Sequence, residues 1–274
     1  FQPSSLPAFQ PMNLGLKDKP VLVMASSGGL GRGVATEFAR EGARVMLFAR
    51  SEDKLKATAV AIGEETGNTP LFMAGDITSA DEVAGAVEKT ASEFGGLWAL
   101  FNNTGGPPAG PFTQFSDADW QGAFELTMLG YVRAIRAALP YLKKNENGGR
   151  IVNNTSASTK QAIDGLLLSN VFRSGLVGFG KTLARELGPD KILVNTVGPG
   201  RIDTERVAQL DQIWAEQKGI TYTDQRHQSE NTIPLGAYGE PADFARIVVF
   251  LCSEANAYLT GQNLLIDGGM VGAY

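Results

Sequence analysis

The sequence predicts one α/β domain built on a doubly wound, parallel, seven-stranded sheet with helices on both faces. Three observations predict it. From Pro20 onward short apolar runs alternate with longer stretches of helical period, the pattern of stacked βαβ units. The first apolar run passes into a glycine-rich turn that opens directly into a helix. At 274 residues and 43% hydrophobic the chain is long enough for one large core, and no linker divides it.

In chain order, the first strand is expected over residues 21–24, an unbroken Val-Leu-Val-Met run. The helix behind it, 31–41, stops at Gly42, a residue type that readily takes the left-handed conformation of a helix end. Strands follow at 44–48 and 70–74, then a helix at 79–94 that stops at Gly95. The fourth strand is 98–102. A long helix at 117–143 carries Phe124, Met128, Tyr131 and Ile135 at helical spacing, more apolar surface than one sheet face requires. The fifth strand, 150–154, leads to a helix at 169–187 whose Leu176, Leu183 and Leu187 form one stripe toward the sheet and which stops at Gly188. The sixth strand is 192–197, the last helix 241–252 and the seventh strand 264–267. Between the sixth strand and the last helix, residues 201–234 are polar, rich in Gln and Thr, and lack a strand signal. Ligands of such sheets bind at the strand carboxyl ends, so this insertion is the candidate substrate lid.

Composition narrows the function. A net charge of -5 supplies no basic field for a nucleic acid or an anionic membrane surface. One cysteine, Cys252, forms no internal disulfide and fits a reducing, cytoplasmic setting; one histidine, His227, excludes a His-based metal cluster, and no metal is expected. No apolar run approaches the roughly 20 residues that cross a bilayer. The opening residues 1–11 hold three prolines and no charge. They do not read as a signal peptide but as a disordered extension or an appended remnant, with Met12 as a natural start and residues 12–274 as the domain.

The glycine turn runs Ala25-Ser26-Ser27-Gly28-Gly29-Leu30-Gly31 between strand and helix. Glycines allow backbone N–H groups to approach a pyrophosphate, whose charge is favoured at the positive end of the helix. The arrangement is a Rossmann-type nucleotide site. Some 20 residues on, where an NAD site places an acid on the ribose 2′-OH, the chain has Ala49 and Arg50. A guanidinium fork suits a 2′-phosphate, so NADP(H) is the preferred cofactor and NAD(H) the alternative.

With these residues the chain resembles the short-chain dehydrogenase/reductase family, in the branch of the 3-oxoacyl-[acyl-carrier-protein] reductases, from Leu16 to Gly269. Further markers are Gly75-Asp76-Ile77-Thr78, Asn102-Asn103-Thr104-Gly105, Gly149-Arg150-Ile151-Val152 with Ser156, Pro199-Gly200 with Thr204, and Asp267-Gly268-Gly269. The resemblance implies that Ser26, Ser27, Gly29, Leu30 and Gly31 cradle the cofactor and that Asp76 and Ile77 meet the adenine. It implies that Asn102 and Gly105 lie beside the ribose and nicotinamide, and that Pro199, Gly200, Ile202 and Thr204 flank the nicotinamide. It also implies a homotetramer or homodimer acting on a small molecule.

The departures concern the chemistry. Met24 and Ala25 stand where the family has Thr-Gly, so the turn closes without its first glycine. Of the family's serine, tyrosine, lysine and asparagine, only the serine is kept: Ser156, with Ser169 in the tyrosine place, Arg173 in the lysine place and Thr127 in the asparagine place. Ser169 and Arg173, at i and i+4, share a helical face. Three readings follow. The chain is an NADPH-dependent carbonyl reductase of a 3-oxoacyl-like or other small ketone, with Ser156 and Arg173 polarising the carbonyl and a water on Ser169 giving the proton. Alternatively it reduces a substrate that needs no protein acid, such as a protonated imine, or it is an inactive nucleotide-binding sensor or scaffold. Lys160, Tyr222 and His227 are the candidates for an acid brought in from elsewhere.

Overall fold

The computed structural model describes residues 13–273; the readings of residues 1–11 and of Met12 fall outside them. Seven strands are present: β1 (Pro20–Met24), β2 (Arg44–Ala49), β3 (Leu71–Ala74), β4 (Ala99–Asn102), β5 (Arg150–Asn154), β6 (Leu193–Pro199) and β7 (Asn263–Ile266). All pair in parallel in one sheet, ordered β3-β2-β1-β4-β5-β6-β7. The expected doubly wound α/β domain is therefore the observed one.

The continuous apolar runs reflect burial on both faces. Along β1 the side chains alternate, with Val21 and Val23 in one core and Leu22 and Met24 in the other. The first core is closed by α1 (Gly29–Arg40), α2 (Glu52–Thr66) and α9 (Pro241–Cys252), through residues such as Phe38, Leu55 and Phe244. The second is closed by α3 (Ala80–Phe94), α5 (Gly130–Leu142) and α6 (Leu167–Glu186). The Leu176, Leu183 and Leu187 stripe of α6 faces the sheet as expected.

Three segments differ from expectation. Residues 52–66, unassigned from sequence, form α2, with the Ser51 side chain accepting from the Lys54 N–H at its start and left-handed Gly67 at its end. The helix expected over 117–143 is divided into α4 (Asp117–Phe124), a π-helical turn (Glu125–Leu129) and α5. Within the turn the Thr127 hydroxyl donates back to the Ala123 carbonyl at 2.5 Å, a side-chain bond that competes with the regular helical ladder. Of that helix's supposed surplus apolar residues, Tyr131 and Ile135 belong to the core, and Phe124 packs on Phe172 at 6.0 Å between ring centroids. Finally, the polar insertion contains two helices, α7 (Glu205–Lys218) and α8 (Tyr222–Glu230), started by Thr204 and Thr221 caps. Pairs four apart such as Gln212–Glu216 and Arg226–Glu230 brace them beside a short apolar face on α7 that buries Leu210 and Ala215.

Candidate active site

The strand order reverses between β1 and β4, and the carboxyl ends of β1, β4, β5 and β6 surround a cavity of about 670 Å³. This is the crevice where open α/β sheets take ligands. Its floor begins at the glycine turn. Gly28 caps α1 with no side-chain bond to the first-turn N–H groups and no acidic residue among them, which leaves those donors for an anion. A Cβ on Gly28 or Gly105 would meet nothing within 4 Å, so the backbone there is open to approach. Gly31 differs: a Cβ would strike the Ala25 carbonyl and come within 2.9 Å of the Ser26 Cα. Ala25, in the place of the family's glycine, has φ 47, a left-handed conformation that costs a non-glycine residue roughly 1–2 kcal/mol. The turn thus keeps its glycine geometry with an alanine in it. These residues fit a dinucleotide phosphate.

Eleven of the residues singled out from sequence line this one cavity: Ser27, Gly29, Leu30, Gly105, Ser156, Ser169, Arg173, Pro199, Gly200, Ile202 and Thr204. Seven do not. The Ser26 hydroxyl is fully buried and accepts from the Phe48 N–H at 3.0 Å, tying the turn to β2. Gly31 backs the turn. Asn102 is sealed behind the cavity, its amide donating to Asn153 at 2.9 Å. Thr127 is also fully buried. Arg50, Asp76 and Ile77 lie at the ends of β2 and β3, with Arg50 exposed. The Asp76 carboxyl is held below its usual range, chiefly by hydrogen bonds from the Thr78 N–H and hydroxyl and secondarily by the charge of Arg50. Lys160, Tyr222 and His227 do not line the cavity either, and His227 is exposed beside Glu230.

Elsewhere in the cavity, Ser156 caps a short turn and its oxygen accepts from the Ser158 N–H at 3.1 Å, leaving the hydroxyl proton to donate. Ser169 Oγ makes no hydrogen bond among the described residues and faces the cavity. Arg173 is 5% exposed. Its guanidinium donates to the Asn154 carbonyl at 3.1 Å and the Gly105 carbonyl at 3.4 Å, and among the described residues no carboxylate pairs with it.

Sequence reasoning missed a rail of asparagines that joins the two ends. Asn103 donates to the Ala25 carbonyl at 3.3 Å, and Asn154 donates to Asn103 Oδ1 at 2.8 Å. The signal was present as paired asparagines ending both β4 and β5, Asn102-Asn103 and Asn153-Asn154. Also missed were Arg206 and Trp214 of α7, which line the cavity; one polar helix signals neither.

Residues 24–271 match a family model described as enoyl-(acyl carrier protein) reductase. The chain is 32% identical over 259 residues to the 3-oxoacyl-[acyl-carrier-protein] reductase of Aquifex aeolicus, covering 94% of this chain and 100% of that protein. Among solved structures it is similar to L-sorbose reductase from Gluconobacter frateurii in complex with NADPH and L-sorbose. That likeness has TM-score 0.90 and 31% identity, over 96% of this chain and 100% of the other. It is also similar to an actinorhodin polyketide ketoreductase with NADPH, at TM-score 0.88 and 28% identity over 93% and 98% of the two chains.

Proposed function

The chain belongs to the short-chain dehydrogenase/reductase family of oxidoreductases, and on that premise we propose that it is an NADP(H)-dependent reductase of a small carbonyl compound, acting through Ser156, Ser169 and Arg173. The observation that carries this reading is that these three side chains open into the same cavity as the glycine turn. Ser27, Gly29 and Leu30 would receive the pyrophosphate, with Ser26 and Gly31 shaping the turn, and Arg50 the 2′-phosphate. Asp76 and Ile77 would border the adenine, Gly105 the ribose side with Asn102 buried behind it, and Pro199, Gly200, Ile202 and Thr204 the nicotinamide. NADPH-bound relatives support this choice over NAD(H).

When bound, the nicotinamide supplies the reducing equivalent to the carbonyl carbon. The chain's own residues handle the charge that develops on the oxygen. Ser156 donates its free hydroxyl proton as a hydrogen bond. Arg173, permanently charged and buried, stabilises the oxyanion without releasing a proton. Among the described residues no Tyr, His, Lys or Cys lines the cavity, so the proton comes from a water held by the unpartnered Ser169 hydroxyl. Thr127 stands one layer behind and supports the π-helical turn. Residues 201–234, with α7 and α8, act as the substrate lid over this end. The exposed Val171 beside Phe172, Trp120 and Phe124 supports assembly of a dimer or tetramer through α4 and α6 in the cytoplasm.

The test is a fluorescence titration with NADPH and NADH followed by turnover of ketones, quinones and imines. NADPH binding tighter than NADH, together with turnover of a ketone, is expected. Binding without any turnover would replace this reading with a sensor or scaffold, and turnover confined to imines would replace it with the imine chemistry.

A further inference from the structure

Two guanidinium groups meet at the cavity, and among the described residues no carboxylate pairs with either. Arg173 comes from α6 and Arg206 from the first turn of α7. Arg173 donates to the carbonyl of Gly105, and Arg206 to that of Pro107 at 3.2 Å. Arg206 lies over Gly106, where a Cβ would come within 3.1 Å of its Nη2. Two residues of extended chain span at most about 7 Å, so one small molecule can reach both groups. Of the other charged residues around the cavity, Arg201 is neutralised by the buried Asp211 at 3.0 Å. Glu205 forms no ion pair with either Arg173 or Arg206.

The placement is unfavourable unless an anion completes it. Arg206 is a cation at the positive end of a helix, the reverse of the stabilising arrangement. Burial, and then the charge of Arg173, hold its pKa below the ordinary arginine value. Unpaired like charges around one cavity are expensive in the empty protein and favourable toward an anionic ligand.

We propose that Arg206 is a specificity-determining residue that binds a carboxylate on the substrate, so that the cavity takes a small oxo acid with its carboxylate on Arg206 and its keto oxygen on Ser156 and Arg173. The substrate assignment rests on the reductase reading above, whereas the anion subsite itself is tested by binding alone. Leu166, Leu210 and Trp214 supply the apolar wall for a short carbon skeleton.

Malonate, which has no keto group to reduce, is the probe. It is titrated calorimetrically into wild type, Arg206→Gln and Arg206→Lys, each with and without saturating NADPH, while NADPH affinity is measured separately. Wild type is expected to bind malonate in both states. Arg206→Gln should weaken it about 10- to 100-fold, the worth of one charged hydrogen bond, with Arg206→Lys intermediate and NADPH affinity unchanged. In turnover, acetoacetate should exceed methyl acetoacetate in kcat/KM, and Arg206→Gln should erase that preference through KM. Absence of malonate binding to wild type would overturn the proposal, as would loss of NADPH affinity in Arg206→Gln or competition between malonate and NADPH. The latter two results would assign the arginine to the cofactor's pyrophosphate. Failure of NADPH to bind at all defeats the reductase reading and leaves the malonate comparison without cofactor to decide the subsite.

Discussion

Tyr131 and Arg173 donate to the same backbone oxygen, that of Asn154, at 2.9 and 3.1 Å. Tyr131 is fully buried, and burial pushes its phenol up to about 12 against the opposing pull of Arg173. It stays a neutral donor over the working pH range and is not the missing acid; it is a positioning residue behind the guanidinium. Tyr131→Phe should lower stability by about 1 kcal/mol, the net worth of one buried hydrogen bond, measured by urea denaturation. An unchanged midpoint would show that Arg173 alone satisfies the carbonyl.

Stability should decline on the alkaline side. Tyr131 rises from 10.0 to about 12 and Cys252 from 9.0 to about 12, both chiefly through burial. Each is charged only after losing its proton, and the folded chain holds that proton more tightly than the unfolded one. The unfolded state therefore releases protons first, and stability is intact below pH 9 and lost progressively as pH rises to 12. In Cys252→Ala the decline should begin about one pH unit later, near the unfolded tyrosine value. A denaturation series with the same slope in both proteins would refute this.

Arg173→Gln should reduce turnover by about 10²- to 10³-fold, as for loss of a donor at a developing oxyanion, with NADPH affinity little changed. Steady-state kinetics beside a binding titration separate the two effects. Conversely, Ser169→Tyr combined with Arg173→Lys should create or raise activity on simple ketones, because the surrounding scaffold is that of the family.

The turn offers a contrast between two small changes. Ala25 carries a left-handed φ of 47, so Ala25→Gly should relieve strain and stabilise the fold by up to about 1 kcal/mol. Gly31→Ala would drive a methyl into the Ala25 carbonyl and should cost NADPH binding at least tenfold. Thermal melts and fluorescence titrations read the pair.

Arg50→Ala should weaken NADPH and leave NADH unaffected, bringing the two dissociation constants together. Equal loss for both cofactors, or none for NADPH, would remove Arg50 from the 2′-phosphate.

The sheet was legible because each β-strand is an apolar run bounded by turn residues, and burial on two faces enforces that pattern. Much of the cavity lining was legible from glycines and markers at strand ends. What escaped was set by contacts distant in sequence. The π-helical turn depends on where the Thr127 hydroxyl finds its acceptor, which no helical period records. Helix α7 has only a short apolar face, with Leu210 and Ala215 buried, and α8 is held by its cap and polar pairs, so a search for long apolar stripes passes over both. Helix α2 was locally signalled, by Ser51 ahead of Glu52 and Asp53 and by Gly67 behind, and needed only a capping argument. Arg206 becomes notable only once α7 is folded over the loop after β4.

The asparagine rail gives the cleft a mechanical property. Ala25, Asn103, Asn154 and Arg173 are linked in series by hydrogen bonds of 3.3, 2.8 and 3.1 Å, so a peptide rotation at the phosphate end tugs on the cation at the far end. Ser169 hangs off this linkage without belonging to it. A substitution at Ser169 therefore leaves the girder that aligns the two halves of the cleft whole.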